Sequence, residues 1–293
     1  VTRSCLFYVL SFSSLMNFAF YNILLSADSC ARPDKDSFSQ QALMEMVIDG
    51  ITNREIISGN FDAPSDVSEW VGVRIDETQE IHKIIWNMRN LQGTLNLQWL
   101  PSTVIEVRII DNALRGSIDL EHLPEKMMHL VLLGNRFEGE ISLTKLPDVM
   151  ENLSVPMNDL TGSIHLEKLP SRLIKLYLND NRFSGTVNLT QLPAQMEQLN
   201  ISTNQLLGKV DVTHLPPGMK YLDLHKNAFV GETNFENLPR TLEMVDVSDT
   251  QLAGVIHHSN AQGFCIADSG VKAVWHENGE ENKTDTKKIE KTE

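Results

Sequence analysis

The side chains best suited to metal or nucleophilic chemistry lie near the carboxyl end of the chain. His257, His258, Cys265 and His276 could supply nitrogen and sulfur ligands, but their spacing matches no standard zinc pattern. Cys265 would need a base and an orienting group to act as a nucleophile, and the sequence identifies neither. A phosphate-binding glycine loop and a kinase signature are also missing from the sequence. The sequence therefore predicts a protein that is not an enzyme and has no metal or cofactor.

Composition excludes further classes of function. The 293 residues carry a formal charge of −14, with a pI near 5.1, which argues against a broad nucleic-acid-binding surface. Aromatic residues are 6% of the chain, too few for base- or sugar-stacking platforms to dominate. Three cysteines cannot build a disulfide framework. What remains is an acidic, folded protein with an apolar core.

The amino-terminal residues have the pattern of a targeting segment. Residues 6–25 are mostly apolar, Arg3 precedes them, and small residues such as Ser26 and Ala27 follow. This order is typical of a secretory signal, so residues 1–27 predict a secreted or cell-surface protein. The same stretch is long enough for an uncleaved membrane anchor, and a single-pass anchored protein is the alternative.

A repeat of 23 residues organises the rest of the chain. Leu-Pro pairs recur at this interval from Leu100-Pro101 to Leu238-Pro239, and glycines recur at it from Gly93 to Gly254. A fixed period of this length predicts a solenoid, in which stacked turns bury a shared core. Asparagines keep the same register at Asn112, Asn135, Asn158, Asn181, Asn204 and Asn227.

One repeat shows what each position must do. Leu176 and Leu178 alternate with Tyr177, which predicts a short strand with one buried face. Asn181 follows the strand, where its amide can pair with backbone groups as the chain turns inward. Pro193 cannot extend a strand ladder and predicts a corner.

The repeated motif Leu-x-Leu-x-x-Asn-x-Leu/Phe-x-Gly-x-Ile/Val-x-Leu resembles the leucine-rich repeat family. The segment Leu160–Ile164 is similar to the plant extracellular subclass, and the 23-residue length with its Leu-Pro corner is similar to repeat proteins of kinetoplastid protists. The resemblance implies a leucine-rich repeat solenoid of the α/β horseshoe class. Its parallel β-sheet would line the concave face, with short strands and turns elsewhere and α-helix mainly in the amino-terminal cap. The resemblance says little about function, because this fold serves unrelated partners.

Five regions follow from these patterns. They are a signal or anchor at 1–27, an amino-terminal cap at 37–83, an array of eight turns at 84–260, a carboxyl-terminal cap at 261–275 and a disordered tail at 276–293. Phe38–Ile51 predicts an amphipathic helix in the first cap. Phe264–Ile266 and Val271–Trp275 are predicted to pair as a closing hairpin. A helix followed by Trp70-Val71-Gly72-Val73 resembles the cap of plant-type repeat proteins, although the paired cysteines usual in those caps are missing here.

The exposed strand positions form the candidate binding surface. Three columns of side chains should face outward beside the strand leucines, apolar toward the amino end (Ile85, Ile110, Val131 and Leu133) and polar toward the carboxyl end. Tyrosine and arginine are favoured anchors at interfaces. The predicted partner is an unidentified protein, peptide or glycan. The residues predicted to bind it are Arg108, Lys175, Tyr177, Tyr221, Asp223, His225 and Asp246.

Two other functions stay open at this point. The chain could be a structural or antigenic surface protein without a specific ligand. It could also be a parallel β-helix enzyme acting on acidic polysaccharides, although the exposed positions vary from turn to turn and the single asparagine per turn favours a horseshoe.

Four Asn-x-Ser/Thr sequons predict N-glycosylation. Asn152 and Asn200 fall on predicted concave strands, where a glycan would block part of the binding face. Either these two are unmodified or binding uses another edge. The four acceptors are Asn152, Asn188, Asn200 and Asn282.

Overall fold

The computed structural model describes residues 35–258, 263–277 and 280–282. The predicted signal or anchor at 1–27 lies outside these ranges. Among the residues described, no helix has the length and apolar character needed to cross a membrane.

A ten-stranded sheet runs the length of the array and forms its predicted concave face; we call it the concave sheet. From β2 onward its strands are parallel. Each strand from β2 to β14 pairs with the strand 23 residues later, as Lys175 pairs with Gln198, and β16 pairs with β18 at an offset of 19 residues. Equivalent positions of successive repeats are therefore hydrogen-bonded neighbours in the sheet. Its strands are β1 (Val73–Ile75), β2 (Ile81–Ile85), β4 (Glu106–Arg108), β6 (His129–Val131), β8 (Asn152–Ser154), β10 (Lys175–Tyr177), β12 (Gln198–Asn200), β14 (Tyr221–Asp223), β16 (Met244–Asp246) and β18 (Gly263–Cys265).

A second row of strands contains the repeated glycine of each turn or ends beside it. It comprises a four-stranded and a six-stranded sheet, joined by one bridge between Ser163 and Ser184. The first sheet contains β3 (Gln92–Thr94), β5 (Ala113–Gly116), β7 (Arg136–Glu140) and β9 (Asp159–Thr161). The second contains β11 (Ser184–Gly185), β13 (Gln205–Gly208), β15 (Ala228–Glu232), β17 (Gln251–His258), β19 (Gly270–Glu277) and β20 (Glu280–Asn282).

The core lies between the two rows of strands. Strand leucines such as Leu176 and Leu199 are fully buried, as are Phe137, Phe183 and Phe229, one from each of three turns. Because the same slot is filled by an apolar side chain in turn after turn, the core is continuous along the array. The prediction of a leucine-rich repeat solenoid with little helix is confirmed.

The repeated asparagine satisfies the backbone where each turn bends inward. Asn181 Nδ2 donates to the carbonyl oxygens of Val155, Leu178 and Asn179 at 3.0, 3.2 and 3.2 Å. Its Oδ1 accepts from the backbone N–H of Leu160 at 3.0 Å. Each asparagine therefore ties its own turn to the preceding one, as the sequence predicted. The same pattern recurs at Asn135, Asn158, Asn204 and Asn227.

The amino-terminal cap closes the core with helix and one antiparallel strand. Helix α1 (Gln40–Ile48) is shorter than the predicted 38–51. It begins after Ser39, whose side chain accepts from Ala42 N at 3.2 Å, and it ends at Ile48. A short helix α2 (Glu55–Ser58) follows, and 3-10 turns lie at Lys35–Ser37, Val67–Glu69 and Leu97–Trp99.

The predicted closing hairpin at the carboxyl end is wrong. β18 pairs in parallel with β16, and β19 pairs in parallel with β17, so the two segments add a further turn to the solenoid. Pairing this way places Val271 over the core, where it is 5% exposed, and Phe264 against it. A hairpin would have left the edges of both sheets unpaired.

The predicted disordered tail does not begin at residue 276. Residues 276–277 continue β19, which pairs antiparallel with β20. Disorder was predicted because this segment is polar and charged, whereas strand pairing uses backbone groups that composition does not report. Residues 283–293 lie outside the described part of the chain.

A column of left-handed residues ends the concave strands. Met157 has φ 54°, and Asp180, Thr203 and Lys226 have φ between 48° and 53°. A side chain in this conformation costs about 1–2 kcal/mol, and Met157 recovers little by burial because it is 56% exposed.

We expect Met157→Gly to raise the free energy of unfolding by about 0.5 kcal/mol, since relief of the left-handed cost exceeds the entropy that glycine loses. Met244→Gly is the control, because Met244 is also an exposed methionine (38%) but lies in an extended strand, where glycine lowers stability. Urea unfolding measures both. A loss of stability in Met157→Gly would contradict the prediction.

Candidate functional site

The structure aligns the predicted surface columns as neighbouring strand positions. One column pairs Lys175, Gln198, Tyr221 and Met244 in successive strands, and the central column pairs Tyr177, Asn200, Asp223 and Asp246. Six of the seven predicted binding residues therefore lie on the four strands β10, β12, β14 and β16 or directly after them. We call this region the carboxyl-terminal patch.

Arg108 does not belong to the carboxyl-terminal patch. It lies in the central column three strands before Tyr177, about 14 Å away at the usual strand spacing. Its Nε is hydrogen-bonded to Glu106 Oε1, and Lys83 Nζ lies 2.9 Å from the other oxygen. Burial alone would raise the pKa of Glu106, but the hydrogen bonds and charges of Lys83 and Arg108 lower it below its usual range. The guanidinium of Arg108 is thus already paired with the Glu106 carboxylate of the same strand.

The apolar patch predicted near Arg108 consists of half-buried side chains. Ile85, Ile110, Val131 and Leu133 are each neither fully buried nor fully exposed. They contribute part of their surface to the face of the sheet and part to packing.

A hollow of about 350 Å³ opens at the centre of the carboxyl-terminal patch. Tyr177 and Tyr221 stand beside it. Gln198 lies on the strand between those of the two tyrosines, and Met244 lies on the strand after Tyr221. Its floor is the backbone of β12 and β14, because the side chains of Leu199 and Leu222 are buried in the core beneath, and its polar rim includes side chains with both donors and acceptors. The lining residues are Tyr177, Gln198, Leu199, Asn200, Tyr221, Leu222, Asp223 and Met244.

Both tyrosine hydroxyls are held by neighbouring side chains. Tyr177 donates to Gln198, and Tyr221 donates to Glu243 Oε2 at 2.5 Å. Burial raises the pKa of Tyr177, while the hydrogen bond and charge of Glu243 raise the pKa of Tyr221. The two phenols are therefore neutral near pH 7 and present apolar ring surface with a fixed orientation.

Three charged or titratable side chains meet next to the hollow. His225 Nδ1 lies 2.7 Å from Asp223 Oδ1 and 4.0 Å from Asp246 Oδ2. Asn200 Nδ2 donates to Asp223 Oδ2 at 3.2 Å, and the backbone N–H of Ser248 donates to Asp246 Oδ1 at 2.9 Å. These three side chains are 15–29% exposed, so their charges are only partly hydrated.

The sequence reasoning missed two residues of this site. Glu243 precedes the first column by one position and was not assigned to the exposed face, yet it holds Tyr221. Gln198 was placed in its column but not among the predicted binding residues, although its Oε1 accepts the hydrogen bond of the Tyr177 hydroxyl. Both residues could have been found from the 23-residue register, because it places each of them beside a tyrosine of the neighbouring strand.

Three of the four sequon asparagines have described side chains in different settings. Asn188 Oδ1 accepts from the N–H and the hydroxyl of Thr190 at 3.0 and 2.7 Å, away from the concave sheet. Asn200 lines the hollow. Asn152 Oδ1 is buried and has no hydrogen-bond partner among the described residues. Asn282 lies in β20, and modification of all four stays a prediction.

No protein-family model and no curated protein matches the chain. Among solved structures, it is similar to a pollen receptor kinase 3, at 18% identity over 79% of this chain and 95% of the other, with a TM-score of 0.41. It is also similar to a plant ice-binding protein (20% identity, 80% and 94% covered, TM-score 0.47) and to YopM from Yersinia enterocolitica WA-314 (23%, 62% and 42%, TM-score 0.45). Likeness at this level assigns no function, and the leucine-rich repeat fold is established by the chain's own repeats and asparagine ladder.

Proposed function

We propose that this protein is a non-catalytic binding module whose carboxyl-terminal patch recognises a protein or peptide partner. The observation that carries the proposal is the hollow between Tyr177 and Tyr221, beside which hydrogen bonds hold both aromatic rings in a fixed orientation. Tyrosines of this kind lose little entropy on binding and are frequent interface anchors. The fully paired strands beneath keep the surface preorganised, which reduces the cost of association.

A secreted or cell-surface location belongs to the same proposal. Its support is the apolar stretch at residues 6–25 with its basic start and small-residue exit. A glycan partner is the alternative to a peptide, since the amide and carboxylate groups around the hollow could also bind sugar hydroxyls.

The proposal predicts that ligands selected on the intact protein bind at the tyrosines. Peptides from a displayed random library, together with a glycan array, would be selected on the purified chain and their Kd measured. We expect Tyr177→Ala and Tyr221→Ala each to weaken the selected ligands by about tenfold or more, because each removes a ring beside the hollow.

Leu207→Ala is the control for this experiment. Leu207 is 46% exposed, but it lies in β13, outside the concave sheet. Its substitution should leave Kd unchanged. Ligands that bind both tyrosine variants as tightly as the unmodified protein would place the binding surface elsewhere, and a complete lack of saturable ligands would favour a structural surface protein.

A further inference from the structure

We propose that Asp223, His225 and Asp246 form a binding site for a divalent transition-metal ion, of the Zn²⁺ or Mn²⁺ class. One imidazole nitrogen and two carboxylate oxygens from neighbouring strands lie within 4.8 Å of one another. This ligand set is the kind that borderline divalent ions select. The inference concerns the chain alone and needs no partner.

The distances suit ligands of a single ion. Ligands bonded at about 2.0–2.2 Å to one ion lie at most about 4.4 Å apart. The 2.7 Å between His225 Nδ1 and Asp223 Oδ1 and the 4.0 Å between Nδ1 and Asp246 Oδ2 fall within this limit. Movements of a few tenths of an ångström would bring the third pair within it.

The charges at this point favour a cation. Asp223 and Asp246 stand on adjacent strands in the same column, so two carboxylates lie side by side on the face of the sheet. No lysine or arginine among the described residues forms an ion pair with either of them, and Lys220 is occupied by Glu197 at 2.8 Å. Neutral His225 can hydrogen-bond only one of the two carboxylates through Nδ1. A divalent ion would neutralise both.

Outer contacts orient the three ligands. The N–H and hydroxyl of Ser248 both bond to Oδ1 of Asp246, which turns Oδ2 toward the histidine. Thr203 Oγ1 lies 3.4 Å from Nε2 of His225, on the side of the ring opposite Nδ1. Hydrogen bonds that hold the second nitrogen of a histidine and the second oxygen of a carboxylate are the usual support of metal ligands.

Three protein ligands would leave coordination positions open on the ion. Water would fill them in the isolated protein. Because Asp223 also lines the hollow, a bound ion would lie at the edge of the proposed binding surface.

The test is calorimetric titration of the intact, chelator-treated protein with ZnCl₂ and with MnCl₂, and the visible absorption of its Co²⁺ form. We expect saturable binding by the unmodified chain. Asp246→Asn keeps the size of the side chain and its bonds from Ser248 but removes a charged ligand. It should weaken the tightest site by at least about tenfold and change the Co²⁺ spectrum. His225→Ala, which leaves both carboxylates in place, should have the same effect.

Asp66→Asn is the matched control. Asp66 Oδ1 accepts from the N–H and hydroxyl of Ser68 at 2.9 and 2.6 Å, the same arrangement as Asp246 with Ser248, but it lies in the amino-terminal cap. It should bind metal like the unmodified chain. The proposal is overturned if the unmodified protein binds neither ion, if Asp246→Asn and His225→Ala both retain its affinity and spectrum, or if Asp66→Asn loses affinity to the same extent.

Discussion

Replacing Asn158 by alanine is expected to lower the free energy of unfolding by about 3 kcal/mol or more. The Asn158 side chain is buried, and its Nδ2 donates to the carbonyl oxygens of Leu132, Val155 and Pro156 at 3.0, 3.2 and 3.1 Å. Its Oδ1 accepts from the N–H of Phe137 at 3.0 Å. Alanine would leave several backbone groups buried without these partners, and each such group costs about 1–3 kcal/mol.

Asn179→Ala is the control, because it removes an asparagine side chain that does not bond to the backbone of a neighbouring turn. Asn179 lies two residues before the ladder position of the next turn, and its Nδ2 donates only to the exposed side chain of Asp180, at 2.6 Å. Its substitution should change stability by no more than about 0.5 kcal/mol. Urea unfolding followed by circular dichroism compares the two variants. Equal losses would mean that the ladder does not stabilise the array.

Gly93→Ala is expected to destabilise the protein by about 3 kcal/mol, through the junction between the amino-terminal cap and the first repeat. Gly93 has φ 100°, a conformation that L side chains rarely adopt. A Cβ there would lie 2.1 Å from the carbonyl oxygen of Gly50, a backbone atom that cannot rotate away. The same oxygen accepts from Thr94 N at 2.9 Å, so its displacement would also break a cap hydrogen bond.

Gly218→Ala is the control for Gly93→Ala. A Cβ at Gly218 would meet no atom within 4 Å, and its φ is not positive. Thermal unfolding should show a change of no more than about 0.5 kcal/mol, or a small gain from the lower entropy of the unfolded chain. A Gly93→Ala variant that unfolds at the same temperature as Gly218→Ala would show that the cap does not stabilise the array through this contact.

The carboxyl-terminal patch was predictable in its composition but not in its contacts. The register predicted that Tyr177, Tyr221 and Asp223 share one face, because parallel strands offset by one repeat align equivalent positions. The bonds from Tyr221 to Glu243 and from Arg108 to Glu106 depend on side-chain rotamers, which the register does not specify. The register already places Arg108 three strands before Tyr177, but its hydrogen bond to Glu106 was not predictable from the register.

The sequence by itself determined the repeat fold, since a 23-residue period with buried leucines and a turn asparagine is satisfied only when successive turns stack in register. The tertiary structure alone decided how the array ends and where charges meet. The last segments continue the solenoid instead of folding back, because pairing with β16 and β17 satisfies two open sheet edges at once. The register aligns Asp223 with Asp246, 23 residues later, but the rotamer that brings His225 Nδ1 within 4.0 Å of both carboxylates was decided only in the tertiary structure.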